Sequence, residues 1–231
     1  MDTSRPCKPD RLWAAFLKKR AMSTNPLLAD LPLFPLHTVL FPGGHLPLKI
    51  FEARYLDMAR ACLRESTPFG VCLLKSGNEI ASPGDPSVPE SIGCLAEITQ
   101  CDVDTFGMLL VQARGTTRFR LLSHRVEPSN LLVGVAETIG DDTPLDGTEA
   151  LVKFGACAEV LERIIDAIKA REPKDLPFTE PFLLDDPTWV SNRLSEILPI
   201  PMRARQKLME LEDAAARIDV VHHYMQQHQL L

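Results

Sequence analysis

The chain has six cysteines but no CxxC pair. Cys7, Cys62, Cys72, Cys94, Cys101 and Cys157 are scattered, and four of them sit in apolar runs. There a free thiol behaves as a small hydrophobe. The spacing speaks against a zinc site and against a disulfide framework, and it fits a reducing, cytoplasmic setting. No apolar run reaches the roughly 18 residues needed to cross a bilayer. The N-terminus lacks a secretory signal, because its apolar stretch Leu12–Leu17 precedes Lys18, Lys19 and Arg20 rather than following them. Positive charge is not in excess: 25 Lys and Arg stand against 31 Asp and Glu, a net charge of −6. That balance disfavours nucleic-acid binding carried by phosphate contacts. Phosphate-cradling GxxxxGK[ST] and GxGxxG motifs are absent, as is the GxSxG nucleophile elbow. No cofactor is implied.

What is present suits one large domain, or one domain with a helical appendage: 231 residues, 45% of them hydrophobic. Residues 1–25 are basic and broken by Pro6 and Pro9. They read as a mobile extension, or as sequence ahead of an internal start at Met22. The stretch Leu31–Leu48 is very apolar yet carries prolines at 32, 35, 42 and 47. Each removes a backbone donor, which speaks against a helix and a central strand. The expectation is extended pieces at a sheet edge, Thr38–Phe41 and Leu46–Lys49, around a turn at Pro42-Gly43-Gly44. A helix follows, with Phe51, Tyr55, Ala59, Cys62 and Leu63 at helical spacing. Phe69–Leu74 reads as a buried strand, 75–92 as a long polar loop, and 93–138 as an antiparallel meander with turns at 102–107 and 115–117.

After Gly140 the period changes. Leu151, Phe154, Ala158, Leu161, Ile165 and Ile168 mark one face of a long helix. A proline-rich connection over 171–187 leads to a helix at Thr188–Leu198. Leu208, Leu211, Ala215, Ile218 and His222 then trace another helical stripe. The fold class is α+β: a β-rich part over 26–140 followed by a helical part over 141–231.

No catalytic constellation stands out. His37, His45 and His124 fall in the β half with no evident nucleophile beside them. His222, His223 and His228 lack the i,i+4 spacing of a metal pair on a helix. Asp102 and Asp104, Asp141 and Asp142, and Asp185 and Asp186 suit turns and helix caps. Glu52 and Arg54 open the first helix, and Arg118 or Arg120 could reach Glu52 to tie helix to sheet.

The run LPLFPLHTVLFPGGHLPLKIFEARY over 31–55 resembles the opening of the Lon protease N-terminal domain, above all its stand-alone form. FGVCLL (69–74), IGCLAEITQ (92–100), GMLLVQARGTTRFRLL (107–122) and RLSEILPIPMRARQKLMELEDAAARI (193–218) support the same resemblance. It implies a PUA-like β pseudo-barrel followed by a C-terminal helical bundle, and a role in recognising unfolded polypeptide or a protein partner. In full-length Lon this region precedes an ATPase and a Ser-Lys peptidase, neither of whose motifs occurs before Leu231. The expectation is therefore a non-catalytic recognition module. Its candidate contact surfaces are the Pro-rich edge, the groove near the first helix and the 75–92 loop, with Leu33, Phe34, Leu36, Phe41, Glu52 and Arg54 as candidate peptide contacts. An RNA-binding module of PUA type and a hydrolase with an unrecognised site are the alternatives.

Overall fold

The computed structural model describes residues 26–79, 87–105, 107–171, 177–178 and 180–231. The expected extension over 1–25 lies outside them. In chain order the elements are β1 (Leu27–Leu36), β2 (His45–Ile50), α1 (Ala53–Glu65), β3 (Phe69–Ser76), β4 (Val88–Val103), β5 (Leu109–Val126), β6 (Leu132–Thr138), α2 (Thr148–Arg171), α3 (Pro187–Ile197), α4 (Met202–Glu210) and α5 (Ala214–Gln227). The strands run β2-β5-β4-β3-β1-β6, and β5 also pairs with β6. Five strands thus close into a ring, and β2 hangs from the outside of β5. The β1–β3 pair is parallel and the others are antiparallel.

The proline-rich stretch departs from expectation. Thr38–Phe41 is not a strand. The strand is Leu27–Leu36, and it sits between β3 and β6 rather than at an edge. Its prolines are tolerated because β1 changes partners along its length. Pro32 is in register with Val133 of β6 only, and Pro35 with Cys72 of β3 only. Each proline therefore has one side on which a donor is not required. The Leu46–Lys49 piece is an edge strand as expected: β2 pairs with β5 alone, and Pro47 is exposed.

The expected turn at 115–117 is not there, and β5 runs through it. Gly115 instead receives the Phe41–Gly44 loop. Its N–H donates to the Gly44 carbonyl, and its carbonyl accepts from the Gly43 N–H. A Cβ on Gly115 would lie 2.3 Å from the Phe41 carbonyl oxygen, so only glycine fits. Val88–Ile92, expected as loop, belongs to β4 and pairs with β3 and β5. Phe51 lies ahead of α1 and is exposed, as is Leu63 on it, while Met58 is buried with Tyr55, Ala59 and Cys62. Leu151 at the start of α2 is likewise exposed. The last stripe is two helices, because Asp213 accepts from the Ala215 N–H and begins a new one. Asp186 caps α3 in the same way through the Thr188 N–H.

The ring encloses a small apolar interior around Leu33, Cys72, Leu95 and Phe119. A second cluster packs α1 on the ring through Tyr55, Met58, Phe69 and Val111. The third joins both halves of the chain, with Phe41, Leu73 and Ile92 packed among residues of α2, α3, α4 and α5. A polar lock sits beside that third cluster. Arg118 on β5 and Arg217 on α5 both pair with Asp142, whose side chain is 2% exposed. The Thr188 hydroxyl of α3 donates to the same carboxylate at 3.0 Å. Neither Arg118 nor Arg120 reaches Glu52: Arg120 pairs with Glu137 and Glu212. The acids that take them lie on β6 (Glu137), in the segment after it (Asp142) and between α4 and α5 (Glu212).

Removing the shared carboxylate would leave two buried guanidiniums without a counter-charge. Asp142→Ala is expected to lower unfolding free energy by about 3–5 kcal/mol in urea titration. A loss below about 1 kcal/mol would show that the lock contributes little.

Candidate functional site

The site grows from the first turn of α1. Glu52 stands at the helix start, but its side chain caps no backbone N–H. It turns to Arg54 instead, at 3.0 Å. Arg54 spends its remaining donors on main chain: Nη1 donates to the Asn130 carbonyl at 2.9 Å and Nη2 to the Glu79 carbonyl at 3.0 Å. One guanidinium thus ties α1 to the β5–β6 turn and to the segment after β3. It also lies 4.4 Å from the centre of the Tyr55 ring, a cation–π contact. Tyr55 in turn stacks on Phe34 with ring centres 3.9 Å apart. Burial pushes the Tyr55 hydroxyl up to about 12. The Glu79 carboxylate accepts from the His37 N–H, which fastens the end of β1 to the same node.

Two clefts open on either side of this node. The smaller, about 300 Å³, is floored by Phe34, Leu36 and Tyr55 and walled by β2 from Leu46 to Ile50, an edge that no strand covers among the described residues. Glu52 lies in its wall. The larger, about 760 Å³, runs between α1 and the β1–β6 pair. Leu28, Leu31, Met58, Ala61, Cys62 and Leu131 give it an apolar lining, and Arg54 stands at its end. Asp57, Glu65 and Glu127 are among its polar residues.

The six expected contact residues divide by this geometry. Leu33 and Phe41 have no exposed surface, and their side chains fill the interior. Phe34 and Leu36 are 7% exposed and line the smaller cleft. Glu52 and Arg54 separate the two clefts. Arg54 is buried rather than presented to solvent: it is 8% exposed and fully engaged. Of the 75–92 loop, residues 80–86 lie outside the described residues. The sequence pointed to a groove near the first helix, but not to its lining by Met58 and Ala61, which carry no signal beyond that of an amphipathic helix.

Burial pushes the thiols of Cys94 and Cys157 up to about 12 and raises those of Cys62 and Cys72 as well, so none of these is a thiolate near neutrality. Among the described residues no group of three or more His, Cys, Asp or Glu could hold a metal ion, and no helix is long and apolar enough to cross a membrane. What the clefts offer is apolar surface beside an unpaired strand edge.

Residues 30–227 match the model of the ATP-dependent protease La (LON) substrate-binding domain. The chain is 23% identical over 199 residues to Lon protease of Anaeromyxobacter dehalogenans (strain 2CP-C), and 21% identical over 197 residues to Lon protease 2 of Myxococcus xanthus. These alignments take in 84% and 83% of this chain but only 22% and 23% of those proteins. The crystal structure of a Lon N-terminal domain protein from Xanthomonas campestris superposes with a TM-score of 0.65 at 35% identity, over 84% of this chain and 97% of that one. The N-terminal domain of a Mycobacterium avium complex Lon protease shares the fold at 16% identity, with a TM-score of 0.58 over 86% of this chain and 99% of that one. The chain belongs to the LON substrate-binding domain family.

Proposed function

We propose that this chain is a non-catalytic polypeptide-recognition module, an adaptor in protein quality control that binds unfolded segments. The observation that carries the reading is the pair of clefts flanking the α1 node, one of them walled by an open strand edge. An extended chain satisfies its own backbone groups by adding to such an edge, while apolar side chains enter neighbouring pockets. Phe34, Leu36 and Leu48 serve as pocket surface beside β2, and Leu28, Met58, Ala61 and Cys62 do so in the larger cleft. Leu33 and Phe41 act indirectly, by holding the ring and the loop in place. In this reading the strand ring is a PUA-like pseudo-barrel, the helices after it form a bundle, and the module works in the cytoplasm. Nucleic acid is a poor partner for a chain of net charge −6.

The test is titration with a labelled, permanently unfolded polypeptide and its folded counterpart. Binding to the unfolded form alone is expected. Ala61→Gln fills the larger cleft from a half-buried helical position and is expected to weaken that binding at least about tenfold. Its stability cost should stay near 0.5 kcal/mol. Equal binding of folded and unfolded forms, or no binding at about 1 mM, would overturn the reading.

Arg54→Ala is expected to behave differently. It removes the donors that satisfy Glu52 and two carbonyls, so unfolding free energy should fall by about 2–4 kcal/mol along with any loss of binding. Unchanged stability would show that the node is not structural.

A further inference from the structure

The smaller cleft is held from behind by a residue pair in the helical half. Arg193 and Glu196 lie one turn apart on α3 and pair at 3.2 Å. Arg193 has no exposed surface, and its Nη2 donates to the Pro42 carbonyl at 2.8 Å. Glu196 Oε1 accepts from the Phe41 N–H at 3.3 Å. The contact is close: a Cβ on Gly44 would lie 2.3 Å from that oxygen. Gly44 is followed directly by His45, where β2 begins, and β2 from Leu46 to Ile50 is the wall of the cleft. Among the described residues no strand pairs with the outer side of β2. Its position rests on β5, on the burial of Leu46 and Ile50 in the α1 cluster, and on this clamped turn.

We propose that Arg193 and Glu196 are positioning residues for the polypeptide site, and that their clamp on the Phe41–Gly44 turn sets how firmly the edge of β2 is presented. This deepens the polypeptide-recognition reading and rests on it for its ligand. The clamp geometry is supported by the chemistry of its acid. Burial pushes the Glu196 carboxyl up to about 7 from its ordinary 4.5; Arg193, the Phe41 N–H and Arg205 of α4 oppose that shift with smaller effect. The other groups in electrostatic reach are Arg114 of β5 and His45 of β2, both near Arg193, and Cys94 of β4, near both members of the pair. Burial and the two arginines lower His45. The cysteine stays protonated across the neutral range.

The sign follows from linkage. Opening the clamp returns the carboxyl to water and to its ordinary value, so opening releases a proton. Closure is favoured at acidic pH, and that advantage is lost as pH rises from 4.5 through about 7. At pH 8 the turn and β2 should open more often than at pH 5, by up to the order of 100-fold.

Amide hydrogen exchange on the whole chain reads this without any ligand. After correction for intrinsic exchange rates, protection of Phe41, Gly43 and the β2 amides is expected to fall as pH rises from 5 to 8. Glu196→Gln keeps an oxygen for the Phe41 N–H and cannot ionise, so its protection should stay high and flat. His45→Gln should retain the wild-type profile. Affinity for a permanently unfolded polypeptide should fall in parallel in the wild type and not in Glu196→Gln. A flat wild-type exchange profile, the same fall in Glu196→Gln, or loss of the dependence in His45→Gln would overturn the proposal. If exchange behaves as expected and no polypeptide binds at any pH, the clamp stands and the recognition reading fails. If polypeptide binds with pH-independent affinity, the recognition reading stands and the coupling fails.

Discussion

Two guanidiniums share one carboxylate at the seam of this molecule, and the arrangement around them depends on that sharing. Asp142 draws Arg118 from the strand ring and Arg217 from the last helix, and Thr188 completes its shell. The guanidiniums satisfy main-chain carbonyls as well: Arg118 reaches Met209 and Leu211, and Arg217 reaches Leu211. These carbonyls lie at the end of α4 and in the break before α5, where helix ends leave acceptors unmatched. Burying two cations against one anion is costly in itself. The apolar cluster beside it, shared by Phe41, Leu73 and Ile92 with four helices, supplies the compensating burial. The polar lock fixes where the two halves meet, and the apolar contact makes the meeting favourable.

With that seam fixed, α3 is placed to reach the Pro42–Gly44 turn, and the turn places β2. On the opposite side of the ring, Arg54 performs a similar task for α1 by taking main-chain carbonyls from two separate loops. The clefts are what remains between these fastened pieces. Their apolar lining and open strand edge suit a flexible partner that brings its own unpaired backbone groups. The curated relatives are more than four times the length of the region they share with this chain.

Much of this was legible in the sequence, and the failures have physical causes. Periodicity located α1 and α2, because each buries one face against a neighbour; α3 is buried all round from Trp189 to Ser195 and was bounded instead by its flanking prolines. Pro47 correctly marked an edge strand. Pro32 and Pro35 pointed the same way for β1 and misled, because a strand that exchanges partners midway can host a proline on each uncovered side. Gly115 looked like a turn, since glycine serves turns and close backbone approach equally well. Asp142 looked like a cap because its partners, Arg118 and Arg217, are 24 and 75 residues away. The node residues Glu52 and Arg54 were found, but not that Arg54 is buried, which depends on loops that no local pattern reveals. Met58 and Ala61 carried no signal beyond that of an amphipathic helix.

The central claim is that an unfolded polypeptide sits in the clefts beside α1. Backbone amide NMR of the labelled chain, recorded with and without such a polypeptide at saturation, tests it most directly. The account predicts shifts concentrated in Leu28–Pro32, in β2 and along the face of α1 that carries Met58 and Ala61. Shifts confined to the outer faces of α2 and α5, with these segments unmoved, would contradict it.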